Sequence, residues 1–424
     1  DGTVKELHIE SLLQKSIFQL SSGEKQKVAV ASVYTAGVNI YVLDEPSANL
    51  DWGGTEQLRQ LLKKLKEQGC TIVVSEHKLY YLRNLADRMI ILQNGKIQKE
   101  LDSSEIIHCS NDWLVSNGLR HLDLKQIAHT SVVIPKSDHT PVSIRAENLY
   151  FKYPRESFLW KDVSFSAESG DIIGIVGKNG TGKSTFIKIC TEQIIPDEGR
   201  IIWQPDVKRG YLDQYAQIDK TLTIDTFLKT AFVKLYEMEK KMNSLYEEAE
   251  KCSNVLKRAA QYQEELERQE FYLIDTKIDQ IMEGLGLTVL ARNHPVGQMS
   301  AGQRAKVILA KLLLEKPDIL LLDEPTNFLD KEHVHWLSEY LSKLPNAFLV
   351  VSHDKSFLEQ ICTGVCDIDQ KKIVKYNGSY PEFLVKKERI YKEYSRKYNA
   401  QERQVKKTEE FIRKNIAGRK SKMA

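Results

Sequence analysis

The 424-residue sequence lacks long hydrophobic runs, a signal-peptide pattern and clustered cysteines. No run approaches the ~20 apolar residues that a membrane-spanning helix needs, and no signal peptide is present at Asp1. If a membrane is involved, we therefore expect another polypeptide to supply the span. The six cysteines are scattered and complete no zinc-site spacing, so we expect buried thiols in a cytoplasmic protein.

Acidic residues are missing from the end of the chain, from Ile412 to Ala424. The formal net charge is only +3, but residues 386–424 contain fourteen Lys or Arg against five Glu. That local balance of +9 leaves −6 for the rest of the chain. A basic tail on an acidic body predicts a polyanionic partner, either nucleic acid or anionic lipid. For residues 386–412, where glutamates interleave, a solvated helix of mixed charge is the alternative.

Residues 177–184 fit the phosphate-loop pattern G-x-x-x-x-G-K-[ST] at every fixed position. An apolar run at 172–176 predicts a preceding strand, and residues 185–189 predict the start of a helix, which is the context that the motif requires. Lys183 would reach the β- and γ-phosphates of a nucleotide, and the Ser184 hydroxyl would bind Mg²⁺. The predicted nucleotide-binding residues here are Gly177, Asn179, Gly180, Gly182, Lys183, Ser184 and Thr185.

Motifs downstream of the phosphate loop occur twice, whereas the loop occurs once. A serine precedes an acidic pair by 23 residues in both copies, which predicts an internal repeat with a period near 279 residues. Lys183 precedes Ser300 by 117 residues, so a first copy with the same layout would need its loop well before Asp1. We therefore expect the chain to be cut at its start. The matching segments are 20–24 with 299–303, 42–46 with 321–325, and 74–77 with 350–353.

The apolar pattern predicts an α/β fold. Strand-like runs at 40–43, 71–75 and 89–92 alternate with helical patterns at 24–34 and 55–67, which favours a parallel sheet with helices on its faces. Sparse apolar positions at 235, 238, 242 and 245 predict a protruding helical hairpin. We predict a partial nucleotide-binding domain at 1–134, a linker at 135–143, a complete domain at 144–379 with a helical arm at about 228–286, and a basic helical tail at 380–424.

The order of motifs within 144–378 resembles that of ABC-type ATPases, whose cofactors are ATP and Mg²⁺. The resemblance implies that Tyr153 stacks on adenine and that Gln214 approaches Mg²⁺ and the attacking water. Asp323 ends an apolar strand, where a lone carboxylate is unfavourable unless it meets a cation, and would hold Mg²⁺ through water. Glu324 would polarise the attacking water, and His353 would contact the γ-phosphate and orient Glu324. The expected catalytic residues are Glu324, His353 and Gln214, and the expected Mg²⁺ site comprises Ser184, Gln214 and Asp323.

Two domains pair head to tail in ABC proteins, and the signature loop of one closes over the nucleotide of the other. The resemblance therefore implies that Ser21, Gly23 and Glu24 complete the site at Lys183 within one chain. The second signature (Ser300, Gly302 and Gln303) would then face a phosphate loop that this chain lacks. The alternative is a homodimer of 144–378 units. Both signatures depart from the usual L-S-G-G-Q, but each keeps its serine and its second glycine.

The two ends of the chain carry different subfamily motifs. LSSGEKQ at 20–26, DEPSANLD at 44–51 and EHKLYYL at 76–82 resemble ATPases of energy-coupling-factor importers for vitamins or metals. DEPTNFLD at 323–330, SHDKSFL at 352–358 and YNGSYPEF at 376–383 resemble ABC-F proteins, as do the arm and the basic helix.

ABC-F proteins are soluble translation and ribosome-protection factors whose linker helix reaches toward tRNA on the ribosome. The resemblance therefore implies a cytoplasmic ATPase with the ribosome or its RNA as partner. The alternative is the ATP-binding subunit of an importer with a transmembrane partner. A scaffold that binds ATP without hydrolysing it is a third interpretation.

Overall fold

The structure is a computed structural model that describes all residues except 1–8, 14–16, 18, 19, 21, 49, 77, 94, 111, 112, 115–143, 155, 156, 169, 214–217, 249–252, 370 and 421–424. The predicted linker and the predicted site residues Ser21 and Gln214 thus lie outside the described residues. Within the described part, none of the helices combines the length and the apolar character of a membrane-crossing segment. We call residues 9–114 the first half and residues 144–420 the second half.

Strands and helices alternate along both halves. The strands are β1 (Ile40–Asp44), β2 (Thr71–Ser75), β3 (Arg88–Gln93), β4 (Lys96–Asp102), β5 (Ile144–Phe151), β6 (Trp160–Ala167), β7 (Ile172–Gly177), β8 (Glu198–Trp203), β9 (Arg209–Tyr211), β10 (Ile319–Asp323), β11 (Ala347–Val351), β12 (Gly364–Asp369) and β13 (Lys372–Asn377). The α-helices are α1 (Ser22–Thr35), α2 (Trp52–Glu67), α3 (Ser103–His108), α4 (Lys183–Cys190), α5 (Ile224–Lys229), α6 (Val233–Glu248), α7 (Ser253–Arg268), α8 (Ile274–Gly284), α9 (Ala301–Leu314), α10 (Lys331–Ser342), α11 (Lys355–Ile361) and α12 (Tyr380–Lys420).

The second half is built on a sheet with the strand order β13, β12, β7, β11, β10, β9. All neighbours in it pair in parallel except β13, which is antiparallel to β12. β10 and β11 are continuous apolar runs, as expected for parallel strands that are buried on both faces. Because these strands are parallel, Gly177 at the end of β7 and Asp323 at the end of β10 lie at the same edge of the sheet.

A three-stranded antiparallel sheet, in the order β6, β5, β8, covers one face of the second half. Its side chains share a core with α4 and with Ile319 and Leu321 of β10. Phe186 of α4 meets the rings of Trp160 and Phe165 edge to face, at centroid distances of 5.9 and 5.6 Å. The opposite face of the main sheet packs on α9, α10 and α11. The strand that carries Asp323 is therefore covered on both faces.

The first half repeats only part of this arrangement. β1 and β2 pair in parallel with Val42 opposite Val73, as predicted, and α2 buries Leu58 and Leu62 against one face. The other face is exposed within the described residues, with Val42 73% and Val73 54% exposed. Among the described residues, helices therefore cover one face of this sheet, whereas the alternation of strands and helices predicted helices on both faces.

The third predicted strand of the first half, at 89–92, does not join the parallel sheet. β3 pairs antiparallel with β4 in a separate two-stranded sheet. Only residues 94 and 95 separate these strands, so their pairing closes a far shorter loop than pairing with β2 would. The alternation of helical and strand-like patterns did not indicate that the strand at 89–92 pairs with the segment that follows it.

The predicted arm contains two helices, α6 and α7, which pack along each other. Leu235 and Met242 are buried and Met238 and Leu245 are half-buried, so the predicted apolar stripe does face a partner. The tail is the 41-residue helix α12. Its first turn is anchored because Phe383 is buried at its start.

The described cysteines are free thiols. Cys190, Cys362 and Cys366 are buried, whereas Cys70 and Cys109 are half-buried. Burial raises the pKa of Cys362 and of Cys366 to about 12. These thiols therefore stay protonated and serve as small apolar side chains.

Candidate nucleotide site

The phosphate loop joins β7 to α4 and contains two glycines in left-handed conformations, Gly180 at φ +80° and Gly182 at φ +93°. A β-carbon on Gly182 would lie 2.5 Å from Leu159 Cδ2 and 2.6 Å from Trp160 Cζ2, so a larger residue does not fit. The antiparallel sheet thus presses directly on the loop. Lys183 begins α4, so the loop runs into a helix N-terminus whose N–H groups suit a phosphate.

Lys183 is held inside this loop. It is only 7% exposed, and its Nζ donates to the carbonyl oxygens of Gly177 at 2.9 Å and Lys178 at 3.1 Å. Burial lowers the pKa of Lys183, and the carboxylates of Glu324 and Asp51 oppose that shift. The Lys183 ammonium group is therefore held by two hydrogen bonds at the position predicted for a phosphate-binding lysine.

Ser184 and Asp323 bring oxygen ligands to the same edge of the sheet. The Ser184 side chain hydrogen-bonds to the Asp323 carboxylate. Burial raises the pKa of Asp323, while Ser184 and the charge of Lys183 lower it. Mg²⁺ prefers such hard oxygen ligands and needs few of them from the protein, since it keeps waters and binds phosphates. The residues present therefore fit a Mg²⁺ ion shared with a nucleotide.

Glu324 and His353 form a half-buried pair beside Asp323, with each side chain 15% exposed. The His353 backbone N–H donates to Glu324 Oε2 at 3.2 Å, and His353 Nε2 lies 3.5 Å from Glu324 Oε1. Burial and the neighbouring Asp323 raise the pKa of Glu324 to about 7. Burial, followed by the charge of Lys183, lowers the pKa of His353 to about 3. The imidazole is therefore neutral at pH 7, and its contact with Glu324 is a polar contact, not an ion pair.

Tyr153 lies beside the phosphate-loop helix. Its hydroxyl is 2.8 Å from Thr185 Oγ1, and its ring meets Phe151 edge to face at 5.1 Å. Both Tyr153 and Thr185 were predicted to bind nucleotide, and the structure brings them together. Stacking of Tyr153 on adenine stays a prediction.

Residues of the first half contact the phosphate loop of the second half at Asn179 and Gly180. Asn179 donates its backbone N–H to Asp51 Oδ2 at 2.7 Å. A β-carbon on Gly180 would lie 3.4 Å from Glu24 Oε1, so Glu24 of the first signature faces the loop. Gly23 is buried next to Glu24. Asp51 and Glu24 thus place the first half against the loop that holds Lys183.

The second signature has a different environment. Ser300 and Gln303 form a capping box at the start of α9, with Gln303 N donating to Ser300 Oγ at 3.2 Å and Ser300 N to Gln303 Oε1 at 2.9 Å. A β-carbon on Gly302 would lie 3.8 Å from Phe328. Among the described contacts of these three residues, none involves residues 177–184. The described contacts therefore place Glu24, and not Ser300, beside the phosphate loop at Gly180.

Comparisons with known proteins agree on the family. Two family models described as ABC transporter match residues 160–327 and 366–424. A putative ABC transporter ATP-binding protein of Treponema denticola is 32% identical over 384 residues, which cover 88% of this chain and 72% of that protein. The chain belongs to the ABC-type ATPases.

Other relatives of this ABC-type ATPase are matched over less of their length. An uncharacterized ABC transporter ATP-binding protein of Bacillus subtilis, YfmM, is 39% identical over 61% of this chain and 51% of its own length. The energy-dependent translational throttle protein EttA of Escherichia coli O6:H1 is 30% identical over 63% of this chain and 49% of its own. The chain therefore spans about half the length of these two relatives.

A solved structure described as a model of ribosome-bound archaeal Pelota and ABCE1 shares the fold. It aligns with a TM-score of 0.61 and 25% identity, over 89% of this chain and 59% of that one. That alignment includes both halves of the ABC-type ATPase. The α/β fold with a phosphate-loop nucleotide-binding domain, predicted from the sequence, is confirmed.

Two contact residues of this ABC ATPase were not predicted from the sequence. In the sequence, Asp51 was noted only as the last residue of the motif at 44–51, although an aspartate just before a helical pattern predicts an N-cap. Its Oδ1 does cap α2, accepting Gly54 N at 2.7 Å, while its Oδ2 reaches Asn179. Lys78 belongs to the motif at 76–82, but that motif indicated no role for its side chain. It lies near the Glu324–His353 pair, whose pKa values its charge lowers after the larger effects of burial, Asp323 and Lys183.

Proposed function

We propose that this ABC-type ATPase hydrolyses Mg²⁺-ATP at one composite site, formed by the phosphate loop of the second half and the signature region of the first. The observation that carries the proposal is the hydrogen bond from Asn179 to Asp51, which ties the loop to the first half. Lys183 would neutralise the β- and γ-phosphates, and the N–H groups of the loop would bind their oxygens. Mg²⁺ bound at Ser184 and Asp323 would supply further positive charge.

Glu324 and His353 would activate the attacking water. A carboxylate whose pKa is about 7 is matched to accepting a proton near neutral pH. His353 holds Glu324 through its backbone N–H and, being neutral, can donate a hydrogen bond to a phosphate oxygen. Gln214 is proposed to approach the same water, and Tyr153 to stack on adenine.

The wider role proposed is that of a cytoplasmic ABC-F-like factor that binds the ribosome in translation or antibiotic resistance. Three observations support it: the ABC-F-like motifs, the similarity to a translational throttle protein, and a solved structure described as ribosome-bound. The fourteen Lys or Arg against five Glu in residues 386–424 also suit an RNA partner, because phosphate contacts by Lys and Arg dominate such affinities. The importer-like motifs of the first half support an importer subunit as the second candidate.

Neutralising the acid-free end of the tail tests the ribosomal role. The variant replaces by Gln the five residues Arg413, Lys414, Arg419, Lys420 and Lys422. Co-sedimentation with ribosomes in ATP should weaken, and its log–log salt slope should flatten by roughly 0.7–0.9 for each phosphate that the tail no longer neutralises. The matched control neutralises five exposed lysines elsewhere: Lys63, Lys96, Lys161, Lys343 and Lys372.

Turnover without ribosomes should be unchanged in both variants, because the tail lies beyond the proposed catalytic residues. Anionic liposomes that compete with ribosomes for the intact tail would favour the importer subunit. Binding to neither would remove the charge argument for RNA and leave α12 as a solvated helix.

A further inference from the structure

The turn between β1 and α2 is held by side chains from elsewhere in the first half. Gln26 of α1 donates its side-chain N–H to Pro46 O at 3.2 Å. The Glu76 carboxylate accepts Ser47 N at 3.3 Å. Each bond fixes a different backbone group of the turn, so the turn has little freedom to move.

Lys78 makes the central contact with this turn. Its Nζ donates to Ser47 O at 3.0 Å and to Ala48 O at 3.1 Å. Lys78 is itself held in place, because its backbone N–H donates to Glu76 Oε1 at 3.0 Å. Glu76 is in turn fixed by the Tyr81 hydroxyl, which donates to Oε2 at 2.8 Å. One ammonium group thus binds two consecutive carbonyl oxygens of the turn.

Asp51 lies at the far end of the same turn. Its two carboxylate oxygens bind different partners: Oδ1 accepts Gly54 N and Oδ2 accepts Asn179 N, both at 2.7 Å. Burial would raise the pKa of Asp51, but these N–H groups lower it. The charged carboxylate therefore spans the N-terminus of α2 and the phosphate loop. A shift of the turn would pull Asp51 away from Asn179.

We propose that Lys78 is a positioning residue for ATP hydrolysis, acting through the turn and Asp51 on the phosphate loop of the second half. The inference rests on the proposed composite site and names what the first half does there. By binding both Ser47 O and Ala48 O, Lys78 keeps the turn in the register in which Asp51 reaches Asn179. In this proposal, the first half of the chain positions the phosphate loop of the second half. Misplacement of catalytic groups by about 1 Å can lower rates on the order of 100-fold.

The test compares Lys78→Met, which keeps length but removes both hydrogen bonds, with Lys78→Arg, which keeps donors and charge. In the intact chain, Lys78→Met should lower kcat about tenfold with little change in KM, and Lys78→Arg should retain most activity. The control is Lys66→Met, since Lys66 also binds a backbone carbonyl, Leu85 O at 2.9 Å, in the same half. That control should behave like wild type.

A double-mutant cycle with Asp51→Asn shows whether Lys78 acts through Asp51. If it does, Lys78→Met should add little to the loss of activity caused by Asp51→Asn. Additive effects on kcat, or a Lys78→Arg variant as impaired as Lys78→Met, would overturn the proposal.

Amide exchange supplies a readout that needs no turnover. Peptides covering 177–184 should exchange faster in Lys78→Met than in Lys66→Met, because Asn179 N–H loses its acceptor. Unchanged exchange contradicts the positioning role, even if activity falls. Should Lys78→Met destabilise the first half, Lys78→Gln, which keeps a neutral amide donor group on a shorter side chain, should give an intermediate exchange rate. A different result would contradict the proposed ATPase site itself: turnover that persists in Lys183→Ala.

Discussion

The two halves contain the same strand-to-turn junction in different surroundings. Glu45 and Glu324 follow the last residues of β1 and β10 and share a left-handed backbone, with φ of 43° and 50°. Each donates its N–H over the same distance, Glu45 N to Ser75 O and Glu324 N to Val351 O, both 2.8 Å. The backbone geometry of the junction is thus the same in both halves. The phosphate-loop motif at 177–184 lies in the second half.

The surroundings of the acidic pairs differ. Asp44 is exposed, whereas burial raises the pKa of Asp323. Val42 of β1 is 73% exposed, while its counterpart Leu321 in β10 is fully buried beneath α4 and the antiparallel sheet. The comparison teaches that the local sequence builds the junction, while the covering layer creates the environment in which a carboxylate can act as a base.

The sharpest test of this comparison removes one carboxylate at a time. Glu324→Gln should lower kcat for ATP by about 10²–10⁴-fold and leave ATP bound, because the proposed general base is lost. Glu45→Gln should leave kcat within about twofold, since Glu45 follows β1 of the first half, whereas the phosphate loop follows β7 of the second half. Phosphate release measures both, and Lys183→Ala, which should abolish turnover, marks the baseline. Parental activity in Glu324→Gln would mean that another group activates the water.

The two signature serines give the next largest difference. If Ser21 closes over the nucleotide at Lys183, Ser21→Arg should reduce turnover as strongly as Lys183→Ala. Ser300→Arg should have a small effect, and Ser300→Ala controls for its lost helix cap, worth about 1 kcal/mol. A silent Ser21→Arg with an inactive Ser300→Arg would instead indicate a homodimer of 144–378 units.

The covered and bare strand faces should differ in stability. Leu321→Ala leaves a cavity in a full core and should destabilise the second half by about 3 kcal/mol. Val42→Ala changes an exposed position and should cost less than about 0.5 kcal/mol. Exchange free energies of peptides from β10 and β1 measure the two effects separately. A large destabilisation in Val42→Ala would show that this face is covered in solution.

The smallest effect concerns the aspartates that cap α2 and α10. Burial pushes the pKa of Asp330 upward, but hydrogen bonds from the side chain and backbone N–H of His333 outweigh it and lower the pKa to about 2. The carboxylate therefore stabilises the fold above its usual pKa near 4, and this contribution is lost as pH falls through about 2. Because the side chain is 40% exposed, solvent screening leaves about 1 kcal/mol.

Substituting Asp330 by Asn keeps a capping side chain and removes the charge. Denaturant unfolding of the variant should show lower stability than wild type at pH 6 and near-equal stability at pH 2. The two capping aspartates differ in their further partners. Asp330 contacts His333, three residues along the chain, whereas Asp51 also binds Asn179 in the other half. A difference that persists at pH 2 would assign the destabilisation to packing.

Much of this fold and site could be predicted from the sequence. The phosphate loop is a contiguous pattern, and its neighbours 172–176 and 185–189 proved to be a strand and a helix because their apolar periodicities differ. The same reasoning failed for 89–92, since periodicity does not say which strand is the pairing partner. Lys78 could not be found, because its role depends on the path of a turn thirty residues earlier.

The sequence alone determined what depends on neighbours along the chain: the glycines at positive φ, the N-caps at Asp51 and Asp330, and the repeated turn after each acidic pair. Those features arise from local backbone sterics and from hydrogen bonds over three or four residues. Only the tertiary structure decided that Asp51 contacts Asn179, and that Asp323 and Glu324 are half-buried while Asp44 is exposed. Burial and long-range contacts depend on which layers cover a strand, and no residue encodes that by itself.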